Sequence, residues 1–543
     1  MNNYRPVSIL SVVSKLFERL IFKHVYNFLH ENSLLTKFQS GFIPGDSTVN
    51  QLAFLYHTFA KALDEKKDIR IVFCDISKAF DKVWHEGLLY KLKKIGIGGN
   101  LLNWFRNYLS NRLQRVVIRG QNSDWGTIKA GVPQGSVLGP LLFLVYINDI
   151  VCGIKSSIRL FADDTSLFLT VDEDNVNESA EQMNNDMISI KQWADQWLVN
   201  FNPAKTDNMV ISNRKIDHPP LYFDNVELNN TRDHKHLGIT FRDNLSWSCH
   251  VNDIATKASK MCDVLRCFKN QIDRLTLETI YFSFIRPKLE YACQVWDDCT
   301  DKDKKLLENV QLNAARIVTG AKKGTSHALI YKELNWPKLS ERRTYFKLLH
   351  MHHIVNSSAP SYLCELLPSA RNCTYNLRNQ DNIAEFRCRT VKFSKSFLPD
   401  CIHKWNVLDN ETKLINDIDK FKDRISPLSS SNPLFYFGNR RANVIHSQLR
   451  MLCSDLNSHL TALHVQDDPK CVCSYKDEST KHFLMQCPLY ATERNKMMNI
   501  VNTVSSFSLN VLLYGDDNLD LELNCVIFKA VHDYIVDTGR FRI

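Results

Sequence analysis

Ser157-Ile158-Arg159-Leu160-Phe161-Ala162-Asp163-Asp164-Thr165-Ser166-Leu167-Phe168-Leu169 sets two adjacent carboxylates between two apolar runs. Ile158 to Phe161 and Leu167 to Leu169 read as two short strands, and Asp163-Asp164-Thr165-Ser166 has the turn-favouring composition of their connection. Neighbouring carboxylates repel and are costly to ionise near a core, a cost that a divalent cation removes. An exposed hairpin tip can carry the same pair, so its meaning depends on the rest of the chain.

At 543 residues the chain should hold several domains. A hydrophobic fraction of 44% and a charged fraction of 23% are those of folded protein, with no long disordered span. The net charge of +9, from 68 Lys and Arg against 59 Asp and Glu, is compatible with a nucleic-acid partner. The opening Met1 to Pro6 is no secretion signal, and the longest apolar run, Val137 to Ile147, contains Gly139 and Pro140 and is too short to span a bilayer. The chain is therefore expected to be intracellular, in nucleus or cytoplasm, without a membrane partner. Sixteen scattered cysteines point to reduced thiols, most of them, such as Cys262, Cys267 and Cys293, serving as small buried apolar residues.

Upstream, helical spacing puts Leu16, Phe17, Leu20, Ile21 and Val25 on one face. Gln39 to Thr48 is a glycine- and proline-punctuated loop, and Ser47 caps a helix predicted from Val49 to Leu63. Ile69 to Cys74 reads as a strand with Asp75 at its end, and Asp81 as the cap of a following helix that stops at Gly96 and Gly98. Carboxylates on two adjacent strands can converge on two Mg²⁺ ions, which take a few hard oxygen ligands and complete their shells from phosphates and water. Between the carboxylates, Lys129 to Pro140 is a tight loop opening an apolar helix. Gly131 and Gly135 allow close backbone approach, and the Gln134 amide suits a nucleotide or template base.

Five blocks, Asn3-Tyr-Arg-Pro-Val-Ser-Ile-Leu10, Gln39-Ser-Gly-Phe42, Asp75-Ile-Ser-Lys-Ala-Phe-Asp81, Gly131 to Pro140 and Phe161-Ala-Asp-Asp164, resemble in order and spacing the reverse transcriptases of non-LTR (LINE-type) retrotransposons, the jockey-like group above all. Asn202 to Thr206, Lys235 to Ile239, Arg286 to Tyr291 and Gln311 to Arg316 continue the match. The resemblance implies an α+β right-hand polymerase with a ferredoxin-like palm: fingers over 1–68, palm over 69–243, thumb over 244–349, and a reverse transcriptase domain of about 1–243. It implies template RNA, primer DNA and dNTP as partners, and two Mg²⁺ held by Asp75, Asp163, Asp164 and the Ile76 carbonyl. Phe80, five residues after Asp75, is similar to the bulky gate that rejects a nucleotide 2′-hydroxyl, which disfavours an RNA-dependent RNA polymerase. Gln134 and Gly135 resemble the loop on the incoming dNTP and template, and Lys205 the lysine near the leaving pyrophosphate. Leu237-Gly238 resembles the turn that grips the primer. The family usually has Arg where this chain has Ile43, and Lys37 is a substitute to consider. The upstream basic segment and endonuclease domain of such elements are also missing. A catalytically impaired, nucleic-acid-binding remnant of a truncated copy is the alternative reading.

Further on, apolar spacing predicts helices over Asn252 to Phe268, Leu275 to Phe284 and Lys304 to Val318. Arg316, Lys322, Lys323, Lys338, Arg342, Arg343 and Lys347, with Trp336 and Tyr345 among them, suggest a basic surface for a template–primer duplex. Residues 350–465 read as a helical connection, with Ser426 to Pro433 as its linker. Cys471, Cys473, His482 and Cys487 fall within seventeen residues and have tetrahedral zinc stoichiometry. The resemblance strengthens a structural Cys-Cys-His-Cys module over 466–500, followed by a tail over 501–543.

Overall fold

A computed structural model describes residues 7–368, 382–427 and 432–541. The chain divides into two compact units, the first made of 1–247, 295–298 and 351–407, the second of 248–294, 299–350 and 408–543. Each is described by itself. The connection expected over 350–465 is thus shared between them. Helices at Ser361–Cys364, Val391–Lys395 and Phe397–Val407 all pack on the helix Thr48–Asp64 of the first unit. There Asp64 accepts the backbone N–H groups of Arg389 at 3.0 Å and Thr390 at 2.6 Å. Half of the proposed linker, 428–431, lies outside the described residues.

The first unit opens with α1 (Val12–Glu31) and α2 (Thr48–Asp64), followed by β1 (Asp68–Cys74), α3 (His85–Lys94) and α4 (Leu138–Ile147). It continues through β2 (Ser157–Phe161), β3 (Asp164–Val171), α5 (Val176–Gln196), β4 (Asp207–Ile211) and β5 (Asn229–Asn230). The sheet order is β5-β4-β1-β3-β2; β1, β2, β3 and β4 pair antiparallel with one another, and β5 runs parallel to β4. That order over a β-α-β-β-α-β chain is the split, ferredoxin-like arrangement expected for the palm. Central β1 is buried along its whole length, which explains its run of Ile69, Ile71, Val72 and Phe73. The apolar faces of α3, α4 and α5 close the core through Leu88, Leu92, Leu142, Tyr146, Met183 and Ile190.

Ser47 caps α2 as read from sequence, accepting from Asn50 N at 3.2 Å. Three local expectations are corrected. The connection between β2 and β3 is only Ala162-Asp163, because Phe161 pairs with Asp164 and the buried Thr165 and Ser166 already pair with Cys74 and Phe73 of β1. Asp81 caps nothing; its carboxylate accepts from Gln134 Nε2 at 2.9 Å, and α3 starts at His85 without a side-chain cap. On α1, Leu16, Phe17 and Leu20 are exposed, while Val25, Leu29 and Glu18 are buried. Glu18 turns inward because its carboxylate accepts Val137 N at 2.7 Å and Leu138 N at 3.2 Å, capping the N-terminus of α4.

In the second unit the predicted helices appear as Ser248–Cys267, Arg274–Ile280 with a π turn to Ile285, and Asp301–Thr319. Cys262 and Cys293 are buried as expected, but Cys267 is exposed. The basic surface is also corrected. Arg342, Arg343 and Lys347 are buried, with Arg342 paired to Glu290, and Trp336 stacks on Tyr281 at 4.2 Å. Helical packing turns these cations inward, where pairing offsets part of their desolvation. Lys323 and Lys338 remain exposed. No helix among the described residues is long and apolar enough to cross a membrane.

Candidate active site

The β2–β3 turn is built under constraint. Ala162 takes φ +53°, a left-handed conformation that costs a non-glycine residue about 1 kcal/mol or more. The segment Gln39-Ser40-Gly41, bridged to Leu160 through Gln39, holds it there. Gln39 Oε1 accepts from Ala162 N at 2.9 Å and from Gly41 N at 2.8 Å, while Ser40 N donates to Leu160 O at 2.9 Å. Gly41 lies so close that a Cβ on it would meet Ala162 N at 2.2 Å. The second block read in the sequence is therefore a backbone splint behind the carboxylate turn.

Asp75 follows directly on β1. Carrying the register of β1 and β3 one residue past Cys74–Thr165 sets it opposite Asp164. Ser77 N donates to Asn200 O at 2.9 Å and Asn202 N to Asp75 O at 3.0 Å. This Ile76–Phe201 bridge leaves the Ile76 carbonyl outside its hydrogen bonds. Asn202 Oδ1 accepts from Ala204 N at 3.1 Å, and the resulting turn brings Lys205 Nζ to 3.7 Å from Asp75 Oδ2. Phe80 stacks on Phe143 at 4.5 Å and meets Phe42 edge-on at 6.0 Å, so it is at once a core aromatic and a wall. The Gly131 loop runs along the Phe80–Val83 backbone, with Gly131 N on Val83 O and Val132 N on Phe80 O, both at 2.8 Å. Gly131 at φ +91° and Gly135 at φ +103° are required there, since a Cβ would lie 2.6 Å from Asp81 O and 2.9 Å from Ser8 O respectively.

These residues surround one cavity of about 1030 Å³, whose walls include Asp75, Phe80, Gln134, Gly135, Asp163 and Lys205. Asp164 is the exposed first residue of β3, beside that wall. Leu237 and Gly238 stand apart from the cleft lining, as the positive-φ turn of a separate hairpin, Asp233–His236 with Ile239–Arg242. Lys37 and Ile43 line one groove together, beside Asp46 and Tyr362 and apart from the cleft lining. Lysines the sequence reading overlooked do line the cleft, Lys78 and Lys82. A second overlooked group is Arg159, which packs 4.1 Å from the rings of both Phe54 and Tyr362. Tyr362 donates to Asp46 Oδ1 at 2.8 Å. Its contribution crosses about two hundred residues of sequence from Arg159 and leaves no local pattern.

In the second unit, Cys471, Cys473, His482 and Cys487 present ligand atoms all within 4.8 Å of one another, the only such cluster among the described residues. Cys471 Sγ and Cys487 Sγ are 3.8 Å apart, and Cys473 Sγ is 3.2 Å from His482 Nε2. With Zn–S bonds of about 2.3 Å, tetrahedral geometry puts thiolates about 3.8 Å apart, so the donor set fits zinc.

Residues 1–241 match the family described as reverse transcriptase (RNA-dependent DNA polymerase). The chain is 30% identical over 341 residues to a probable RNA-directed DNA polymerase from transposon X-element of Drosophila melanogaster, covering 61% of this chain and 37% of the relative. It is 29% identical over 369 residues to the RNA-directed DNA polymerase from mobile element jockey of the same fly, covering 65% and 40%. The chain thus spans about two fifths of the length of these curated relatives. A solved telomerase from Candida tropicalis, in complex with a fragment of telomeric RNA, is 10% identical over 77% of this chain and 57% of that one. Its TM-score of 0.35 is too low to carry any argument. The five-stranded sheet and the ordered blocks agree with these matches: residues 1–241 form a reverse transcriptase domain similar to those of non-LTR, LINE-type retrotransposons.

Proposed function

We propose that the cleft carries out RNA-templated DNA synthesis, in which a primer 3′-hydroxyl attacks the α-phosphate of a dNTP and pyrophosphate leaves. The observation that supports it most is the convergence of Asp75, Asp163, Phe80, Gln134 and Lys205 on one cavity. Two Mg²⁺ ions, held by Asp75, Asp163, Asp164 and the Ile76 carbonyl, would lower the pKa of the attacking hydroxyl and neutralise the leaving pyrophosphate.

The chain's own groups position the reactants. The splinted turn fixes Asp163, which matters because misplacement by about 1 Å costs about a hundredfold in rate. Phe80, locked between two rings, offers a 2′-hydroxyl no hydrogen-bond partner, so ribonucleotides bind with an unpaired polar group. Gln134, oriented by Asp81, and Gly135 bear on the nucleotide and template base. Lys205 meets the pyrophosphate when it leaves Asp75, and Leu237-Gly238 meets the primer backbone. Fingers over 1–68 and a thumb over 244–349 belong to this reading, as does one structural zinc on Cys471, Cys473, His482 and Cys487.

The test is extension of a DNA primer on an RNA template by the purified chain with Mg²⁺, with dNTP or rNTP. Incorporation of dNTP alone, abolished by Asp163→Asn, is expected. Ile43, in place of the family's arginine, favours the second reading, an impaired remnant. Template–primer binding without any extension selects it.

A further inference from the structure

Between α3 and α4 an arm leaves the first unit. Leu113–Gln114 pairs with Gly126–Thr127, and Val117–Ile118 with Gln121–Asn122, around a tip at Arg119-Gly120. Both tip residues have positive φ, 49° and 82°, the geometry of a two-residue hairpin turn. Every residue from Leu113 to Thr127 is exposed. That includes Leu113, Val116, Val117, Ile118 and Trp125, at 58% to 65%. A thin ribbon with so much apolar surface gains little from its own packing and offers that surface to a partner.

The chemistry of the arm selects the partner. From 110 to 130 it carries Arg112, Arg115, Arg119 and Lys129 against one acid, Asp124. The Arg115 guanidinium lies 4.7 Å over the Trp125 ring, a cation and an aromatic plane presented together. Phosphate-binding cations interleaved with an exposed stacking platform fit an unpaired polynucleotide strand, whose bases offer a π-face whatever their sequence. At its root Arg112 and Gln114 line a groove of about 240 Å³ together with Lys78, Asp81 and Gln134. The last three also line the catalytic cleft, so the two spaces share a wall. A strand on the arm is therefore delivered beside Gln134, the residue read above as facing the template base. In a polymerase the strand still single on that side is the incoming template.

We infer that the arm Leu113–Thr127 is a guide for the unpaired RNA template ahead of the active site, with Trp125 stacking a base and Arg115 and Arg119 holding phosphates. This rests on the polymerase reading of the cleft. Its test is a binding measurement that stays separate from activity. Full-length Asp163→Asn protein is titrated, without nucleotide, onto an RNA template–DNA primer hybrid with a single-stranded RNA 5′ overhang, and onto the same hybrid made blunt.

The unaltered arm should favour the overhang hybrid. Trp125→Ala should weaken overhang binding about tenfold, the effect of one lost base stack, and Trp125→Phe should restore most of it. Arg115→Gln should lower the slope of log affinity against log salt by about 0.7, as for one phosphate contact on a single strand. All three changes should leave the blunt hybrid unaffected. Equal losses on both hybrids would assign the arm to duplex. No loss on either would remove the arm from nucleic-acid binding. Either result overturns the proposal while leaving the polymerase reading untouched.

Discussion

Gly41→Ala adds a methyl where the backbone of the carboxylate turn already stands. Its Cβ would lie 2.2 Å from Ala162 N, 2.9 Å from Phe161 C and 3.1 Å from Ala162 Cα, against ordinary contact beyond 3.4 Å. None of these atoms is the end of a flexible side chain, so the turn itself must move by about 1 Å. Overpacking of this kind costs about 1–3 kcal/mol in stability. A 1 Å error in a reacting group costs about a hundredfold in rate. Asp163 is the residue after Ala162 and takes the full displacement. Gln39→Leu reaches the same turn without a clash, because it removes the acceptor of the Ala162 and Gly41 amides. Leaving buried amides unpaired costs about 1–3 kcal/mol each. Both variants are assayed by single-nucleotide extension on a preformed template–primer and by thermal unfolding. The expected result is kcat down about a hundredfold with KM for dNTP little changed, in protein that still unfolds cooperatively. Extension by Gly41→Ala within about threefold of wild type would refute the splint.

In the second unit Glu333 is buried between Arg274 Nη1 at 2.8 Å and Arg450 Nη2 at 2.6 Å. Burial by itself raises its pKa, but Arg450 and Arg274 outweigh that and hold it below the ordinary carboxylate range. Glu333→Ala strands two guanidinium groups and should lower stability by about 3–5 kcal/mol, read from chemical unfolding; a change under 1 kcal/mol contradicts the network's importance. In the first unit, burial pushes His57 and His236 down to about 3, with Lys61 and His234 adding to the effect. Unfolded histidines take a proton near pH 6.5 and these folded ones do not. Stability is therefore full above about pH 6.5 and falls below it by about 1.4 kcal/mol per histidine per pH unit. Unfolding midpoints at about pH 7 and pH 5 should show that loss, and His57→Phe should reduce it; a flat profile argues against neutral burial. Metal analysis of the full chain should find one zinc, absent in Cys487→Ser, and a metal-free wild-type protein ends that assignment.

Much was legible because it is local. The strand at Ile69 to Cys74, the Ser47 cap, the glycines of the Gly131 loop and the Cys-x-Cys…His…Cys spacing each follow from residues within one or two turns of chain. Where the sequence misled, a distant partner had changed the meaning of a local pattern. Leu16, Phe17 and Leu20 look like a core face, but the backbone amides opening α4 draw Glu18 inward instead. Asp81 has the position of a cap, but Gln134 holds its carboxylate. Arg342, Arg343 and Lys347 look like a solvated basic surface, and helical packing buries all three.

The Asp163-Asp164 pair, with Asp75 and the blocks around it, carried from sequence alone the resemblance to reverse transcriptases that the match over residues 1–241 bears out, because such blocks are written residue by residue. Only the tertiary structure decided how those residues stand: that the turn is two residues long, that Gln39 and Gly41 brace it, that Lys78 and Lys82 line the cleft while Lys37 does not, and that the arm's root shares its wall. Those facts depend on register and close approach between segments up to 123 residues apart, which hydrophobic period and motif spacing do not encode.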